Sequence, residues 1–210
     1  AFCTELFDLS QSVEDIQNML EELLSDDVRS EVLFDAYRSV CLTKSRSTGP
    51  RVIALLTAEL VIAGQLASEE EEAIFSAAEE LSDAEFGQLI DYISEVEAKL
   101  VRSSKDVIQE NGGFRIMVEQ QTTTSSWPSR DGISLAPLDL ASYLGPWALK
   151  LKGLGLVRDD IKERTWNYSE DTELHIDEPG TAREISWWLP LEPSAVKLAS
   201  FAKRAGKNEV

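Results

Sequence analysis

Glu110-Asn111-Gly112-Gly113-Phe114-Arg115-Ile116-Met117-Val118-Glu119 is where the chain changes period. Before it, apolar residues recur at spacings of three and four, as on one face of a helix. After it, Phe114, Ile116 and Val118 alternate, as on one face of a strand. Asn111-Gly112-Gly113 stops the helical run, because these residues accept the left-handed backbone that a helix end calls for. Residues 114–124, rich in β-formers, are predicted as a strand. The chain therefore reads as α+β, helices first and a mixture afterwards.

Working back from this switch, Phe86, Leu89, Ile90, Ile93, Val96 and Leu100 form a stripe that is expected to continue toward Ile108. Ser82 with Glu85, and Ser68 with Glu71, fit the S-x-x-E capping box, in which the serine oxygen and the carboxylate satisfy otherwise unpartnered amides. Residues 52–66 are the most apolar stretch, interrupted by Glu59. That run falls short of the ~20 residues needed to cross a bilayer and is predicted as a buried central helix. Pro50 suits its first turn. Val28, Val32, Tyr37 and Cys41 mark a second amphipathic helix, and Val13, Ile16, Leu20, Leu23 and Leu24 a first one behind Ser12. Five helices are expected here, packed as a bundle.

Working forward, residues 125–132 hold Ser, Pro and Gly and read as a linker. Residues 135–154 are helical in pattern, with Gly145-Pro146 predicted to kink or split them. A hairpin follows, with arms near residues 165–176 and 183–191 and turn chemistry in Asp177-Glu178-Pro179-Gly180. Glu192-Pro193-Ser194 opens a last helix running through Ala205. The 114–124 strand is expected to join the hairpin in a small antiparallel sheet, since an isolated hairpin is marginal in water.

The formal charge of −18 over 210 residues is unusual for a chain whose hydrophobic share, 43%, is ordinary. Residues 1–127 carry 9 Lys/Arg against 25 Asp/Glu, and residues 128–210 carry 11 against 13. A leading segment that negative repels phosphate backbones and anionic lipid, and favours a basic partner. Cys3 and Cys41 lie in no C-x-x-C motif, so they read as reduced thiols of a cytoplasmic protein, with a Cys3–Cys41 disulfide as the exported alternative. Ala1 is not Met, so any leader or anchor upstream would be invisible.

The phrase Leu151-Lys152-Gly153-Leu154-Gly155-Leu156-Val157, the hairpin, and then Trp188-Leu189-Pro190-Leu191-Glu192-Pro193 leading into a helix resemble the end of a winged-helix domain. The resemblance covers residues 133–205. It is to the winged-helix-like tails of poorly characterised bacterial proteins, abortive-infection-associated ones among them. It implies a setting in bacterial stress response or phage defence, and neither a reaction nor an agreed ligand. The expected organisation is an acidic helical bundle over residues 1–110, a strand and linker over 111–132, and a winged-helix-like module over 133–210. Between the Gly145-Pro146 kink and the Gly153 exit there is little room for a helix that enters a major groove. The Gly64–Ser68 segment resembles tellurite-resistance (TerB-like) helical domains, but Ala63 stands where those carry an acidic residue, so no metal is expected.

Candidate functional residues are few. Trp187 and Trp188 are adjacent in a predicted strand and must face opposite ways, so one joins the core and the other is either covered or exposed as a partner anchor. With Trp166 they are the partner-binding candidates. Lys150, Lys152, Arg158, Lys162 and Arg164 form a basic cluster around the hairpin, diluted by Asp159, Asp160 and Glu163, and are the nucleic-acid candidates. Glu69–Glu72 is explained by the helix dipole without a metal. His175 is the sole histidine, so every Ser/His or Cys/His device would have to converge on it, and no catalytic residue or cofactor is assigned. The reading is a non-catalytic interaction protein of the cytoplasm with a protein partner or self-association, including a homodimer. A winged-helix DNA-binding regulator is the alternative, and a hydrolase using two carboxylates that converge in one pocket is a third class.

Overall fold

Capping side chains decide where most of the first helices begin. In the computed structural model, which describes residues 24–102, 105–125, 138–168 and 180–207 together with Asn18 and Glu21, α1 spans Asp27–Leu42 and α2 spans Thr48–Ala63. The Asp26 carboxylate caps α1 by accepting the Arg29 amide at 2.9 Å. Gly64, at φ +63°, closes α2 in the left-handed region and lets the Gly64 and Gln65 amides reach the Val61 and Leu60 carbonyls, both at 3.2 Å. Capping boxes at Ser68/Glu71 and Ser82/Glu85 open α3, Glu69–Glu80, and α4, Asp83–Val101. Buried Val52, Ile53, Leu55, Leu56, Leu60 and Val61 wrap around much of α2, which is why that helix is central.

The helical stripe does not run on to Ile108. Helix α4 ends at Val101, and Val107–Glu110 is a strand, β1. Asn111 and Gly112, at φ +51° and +84°, form the two-residue turn of a hairpin and not merely a helix stop. Both central positions of such a turn need positive φ, which this dipeptide accommodates. Strand β2, Gly113–Ser125, pairs antiparallel with β1 and also with β4, Gly180–Leu191, while β3, Asp160–Tyr168, lies on the far side of β4. The order is β1-β2-β4-β3, all antiparallel, with a bulge in β2 between Met117 and Glu119. The 114–124 strand thus joins the hairpin as expected, and the first hairpin arm begins five residues earlier than its expected start, at Asp160. At Gly113 any Cβ would lie 2.3 Å from the Leu191 carbonyl oxygen, so only glycine permits the two strands to meet there.

Gly145, at φ +99°, splits the third helical run into α5, Leu140–Leu144, and α6, Pro146–Gly153. Helix α7, Pro193–Lys207, completes the seven helices among the described residues. Its Ala195, Leu198, Ala199, Ala202 and Ala205 are buried, and it packs on α2, α3 and α4. Small residues along that face let the backbones approach. One cluster of buried side chains therefore runs from α1 through α2–α4 to β1, β2, β4 and α7. The change in charge density near residue 127 coincides with no break in this core. The first expected helix, apart from Asn18, Glu21 and Leu24, lies outside the described residues, as do the linker at 126–132, the start of the 135–154 run, and the hairpin tip up to Pro179.

Candidate interaction surface

The Trp187/Trp188 pair offers no exposed ring. Trp187 is 4% and Trp188 9% exposed, which corrects the expectation that one of them could stand free as an anchor. Strand β4 is central, so neither side of it is an open edge. Trp188 lies opposite Met117 and Asp160, its indole N–H donates to Ser186 Oγ at 2.9 Å, and Arg115 and Lys162 lie over its ring at 5.7 and 5.5 Å. Those cations stack on the aromatic face and shield it. Trp166 is half-buried on β3 opposite Ala182, with Arg164 over its ring at 5.5 Å. Trp127 lies outside the described residues.

The basic cluster is dispersed and largely neutralised. Lys150 donates to Glu85 at 2.7 Å and to the Glu80 carbonyl at 3.0 Å, and Lys152 pairs with Asp159 at 2.6 Å. Arg158 grips Glu192 through Nε, at 2.8 Å, and Nη2. Burial alone would raise the Glu85 carboxyl, but the Lys150 and Ser82 hydrogen bonds outweigh it and hold Glu85 below the usual carboxylate range. Lys162 and Arg164 lie over tryptophans. Helix α6 buries Trp147, Ala148 and Leu151, so its outward lysines are those already bound to carboxylates.

The acidic helical layer behaves differently. Helix α1 is attached thinly, with only Val32 and Ala36 buried, and it stands as a ridge between two grooves. The expected apolar face of Val28, Val32, Tyr37 and Cys41 is corrected here: Val28, Tyr37 and Cys41 are exposed, because the side of α1 that meets α2 is centred on Val32 and Ala36. Phe34 and Tyr37 are 72% and 73% exposed on its crest. On one side a shallow apolar groove of about 220 Å³ is lined by Leu33, Tyr37 and Val40 of α1 and by Ile53, Ala54 and Thr57 of α2.

On the other side a cleft of about 470 Å³ runs between α1 and α3. Buried Val32 and Leu60 and half-buried Phe75 form its floor, and Leu42 and Leu66, both more than half exposed, continue that floor to the surface. Glu31 and Asp35 project from α1, Glu72 and Glu79 from α3, and Arg38 is the one cation among the lining residues. Other carboxylates of this layer find partners: Glu80 with Lys44, Glu71 and Glu59 with Lys197, Glu97 with Lys203. The four at the cleft make no ion pair with any described residue. Sequence reading missed this site because Glu72 had a sufficient explanation in the helix dipole and its companions lie far away in sequence. The usable signal was Glu31 and Asp35, four apart and hence side by side on one helix face.

A second cleft of about 630 Å³ lies where the β1–β2 turn meets the start of α7. Its arginines are already paired, Arg115 with Asp160 at 2.5 Å and Arg158 with Glu192. Among the described residues no group of three or more His, Cys, Asp or Glu is arranged to hold a metal, and no helix is long and apolar enough to cross a membrane. Cys41 is a free, exposed thiol, while Cys3 and His175 lie outside the described residues. No protein-family model matches this chain, nor does any curated protein or solved structure.

Proposed function

We propose that this chain is a non-catalytic protein that acts in the cytoplasm by binding a basic protein partner through its acidic helical layer. The observation that carries the reading is the asymmetry of pairing. Lys150, Lys152 and Arg158 of the second half spend their charge on the chain's own carboxylates, whereas four carboxylates beside an apolar floor in the first half are left without an ion pair among the described residues. A phosphate polymer needs several uncompensated cations to release counterions. A basic protein needs the opposite, and exposed aromatic and aliphatic side chains beside the charge supply the apolar contact that interfaces use. In this reading residues 133–205 are a winged-helix-like module. Its short α6, its β3–β4 hairpin and its closing α7 serve as a scaffold for the helical layer. The setting implied by the resemblance, bacterial stress response or phage defence, goes with an adaptor role.

The test places the full chain against two probes of opposite charge, random-sequence duplex DNA and a pool of Lys/Leu-rich peptides, each over a range of salt. The expected result is salt-sensitive binding of the cationic pool and no shift of the duplex. A steep salt-dependent shift of the duplex, or binding of neither probe, would refute the proposal.

A further inference from the structure

The α1–α3 cleft can be assigned an occupant, and the assignment rests on the reading just given. Apolar side chains at its floor need an apolar counterpart. The carboxylates on both walls, Glu31 and Asp35 on one and Glu72 and Glu79 on the other, make no ion pair with any described residue and need cations at the edges of that counterpart. A segment with an apolar stripe flanked by Lys or Arg meets both demands at once. Leu42 and Leu66, both more than half exposed, add apolar surface to the cavity lining, so the ligand is larger than a small cation. The groove is bounded by two helices, and a third helix laid between them seats its side chains at i, i+3, i+4 and i+7. We infer that the cleft docks a single basic amphipathic helix from a partner protein, its apolar side chains on Phe75, Leu42 and Leu66 and its cations on the four carboxylates.

Charge complementarity argues for this occupant over a second copy of the chain, because a copy would bring the same acidic layer to the acidic walls. It argues equally against an anionic lipid surface. Arg38 marks the near wall and gives the site a direction, since a cation of the incoming helix is disfavoured beside it and favoured toward α3.

The probe is a fluorescein-labelled Leu/Lys peptide about five turns long, with Leu at helical spacing. Its control has the same composition, scrambled so that the period is lost. Anisotropy with the full chain should show the patterned peptide binding and the scrambled one binding at least about tenfold more weakly, a difference of about 1.4 kcal/mol. The double variant Asp35→Lys, Glu72→Lys should weaken the patterned peptide by a further tenfold relative to Asp91→Lys, Glu119→Lys, which changes net charge equally at exposed positions elsewhere. Leu66→Ser should weaken it several-fold with little change in salt dependence. Equal losses in the two charge doubles would overturn the assignment while leaving the broader reading intact. Equal binding of the scrambled peptide would overturn the helical occupant. No binding to the wild-type chain would sink both. Sedimentation that shows a dimer dissolved by Leu66→Ser would give the cleft to a second copy and overturn the partner.

Discussion

Replacing Asp83 with alanine should unfasten the loop that leads into α2. The Asp83 carboxylate accepts the Arg46 and Thr48 amides, both at 2.9 Å, the Ser47 hydroxyl at 3.1 Å and the Ser45 hydroxyl at 2.5 Å. It thus supplies acceptors at the start of α2 from a residue at the start of α4. Ser45 is buried and its oxygen also accepts the Gly49 amide at 2.7 Å, so the truncation strands a buried hydroxyl as well. Hydrogen bonds to a charged group are worth ~1.5–3 kcal/mol each when shielded, but Asp83 is half-exposed and water can replace part of the set. The part-buried Thr48 amide and the exposed Arg46 amide, discounted by about half, plus the stranded hydroxyl, give a loss of about 2–4 kcal/mol at pH 7. For a chain of this size that corresponds to a fall in Tm of roughly 5–15 °C.

The pH dependence has a definite sign. Burial alone would raise the Asp83 carboxyl, but the hydrogen bonds from Ser45, Thr48 and Arg46 prevail and hold it far below the ordinary carboxylate range. A carboxylate depressed in the folded state contributes its stability above the unfolded pKa of about 4 and loses it as pH falls toward the folded value. Urea unfolding of wild type and Asp83→Ala at pH 7 and again near pH 3 should therefore show a gap that narrows on acidification. A gap below about 0.5 kcal/mol at pH 7, or one unchanged at pH 3, would refute the reasoning.

Two further outcomes follow from strand β4 and its neighbours. Trp188→Ala should cost about 3–5 kcal/mol in chemical denaturation, because the ring is buried beneath Arg115 and Lys162 and its removal leaves a cavity. Near-normal stability with weakened partner binding would return Trp188 to an interface role. Gly113→Ala should cost at least about 1–3 kcal/mol in the same assay, since the new methyl meets the Leu191 carbonyl oxygen at 2.3 Å and the β2–β4 ladder must open to admit it. A variant as stable as wild type would show that the strand ends give way freely.

The parts of the fold that were legible share one property: their signals are local. The Ser68 and Ser82 caps, the split at Gly145 and the start of α7 each depend on a few adjacent residues, and each is where the sequence placed it, whereas the central helix expected over residues 52–66 stops at Ala63 because Gly64 turns left-handed. Strand β1 was hidden because Val107 and Ile108 extend the helical period of α4 by chance, while Asn111-Gly112 was read as a stop and not as a turn between strands. Alternation placed Trp187 and Trp188 on opposite faces, but no pattern within a strand says whether each face is covered. The face of α1 was misassigned in part because Ala36, which meets the core together with Val32, is less apolar than exposed Tyr37. The cleft depends on a long-range pairing of α1 with α3, which no local pattern encodes.

The seating of α7 on α2 sets an order of events during synthesis. A ribosome delivers α2 first, and its apolar sides must wait for the intervening residues 64–192 to be made before α7 emerges to cover them. Until then the apolar residues of α2 lack the cover that α7 provides in the finished fold, and the negative charge of the first half opposes association between copies of it.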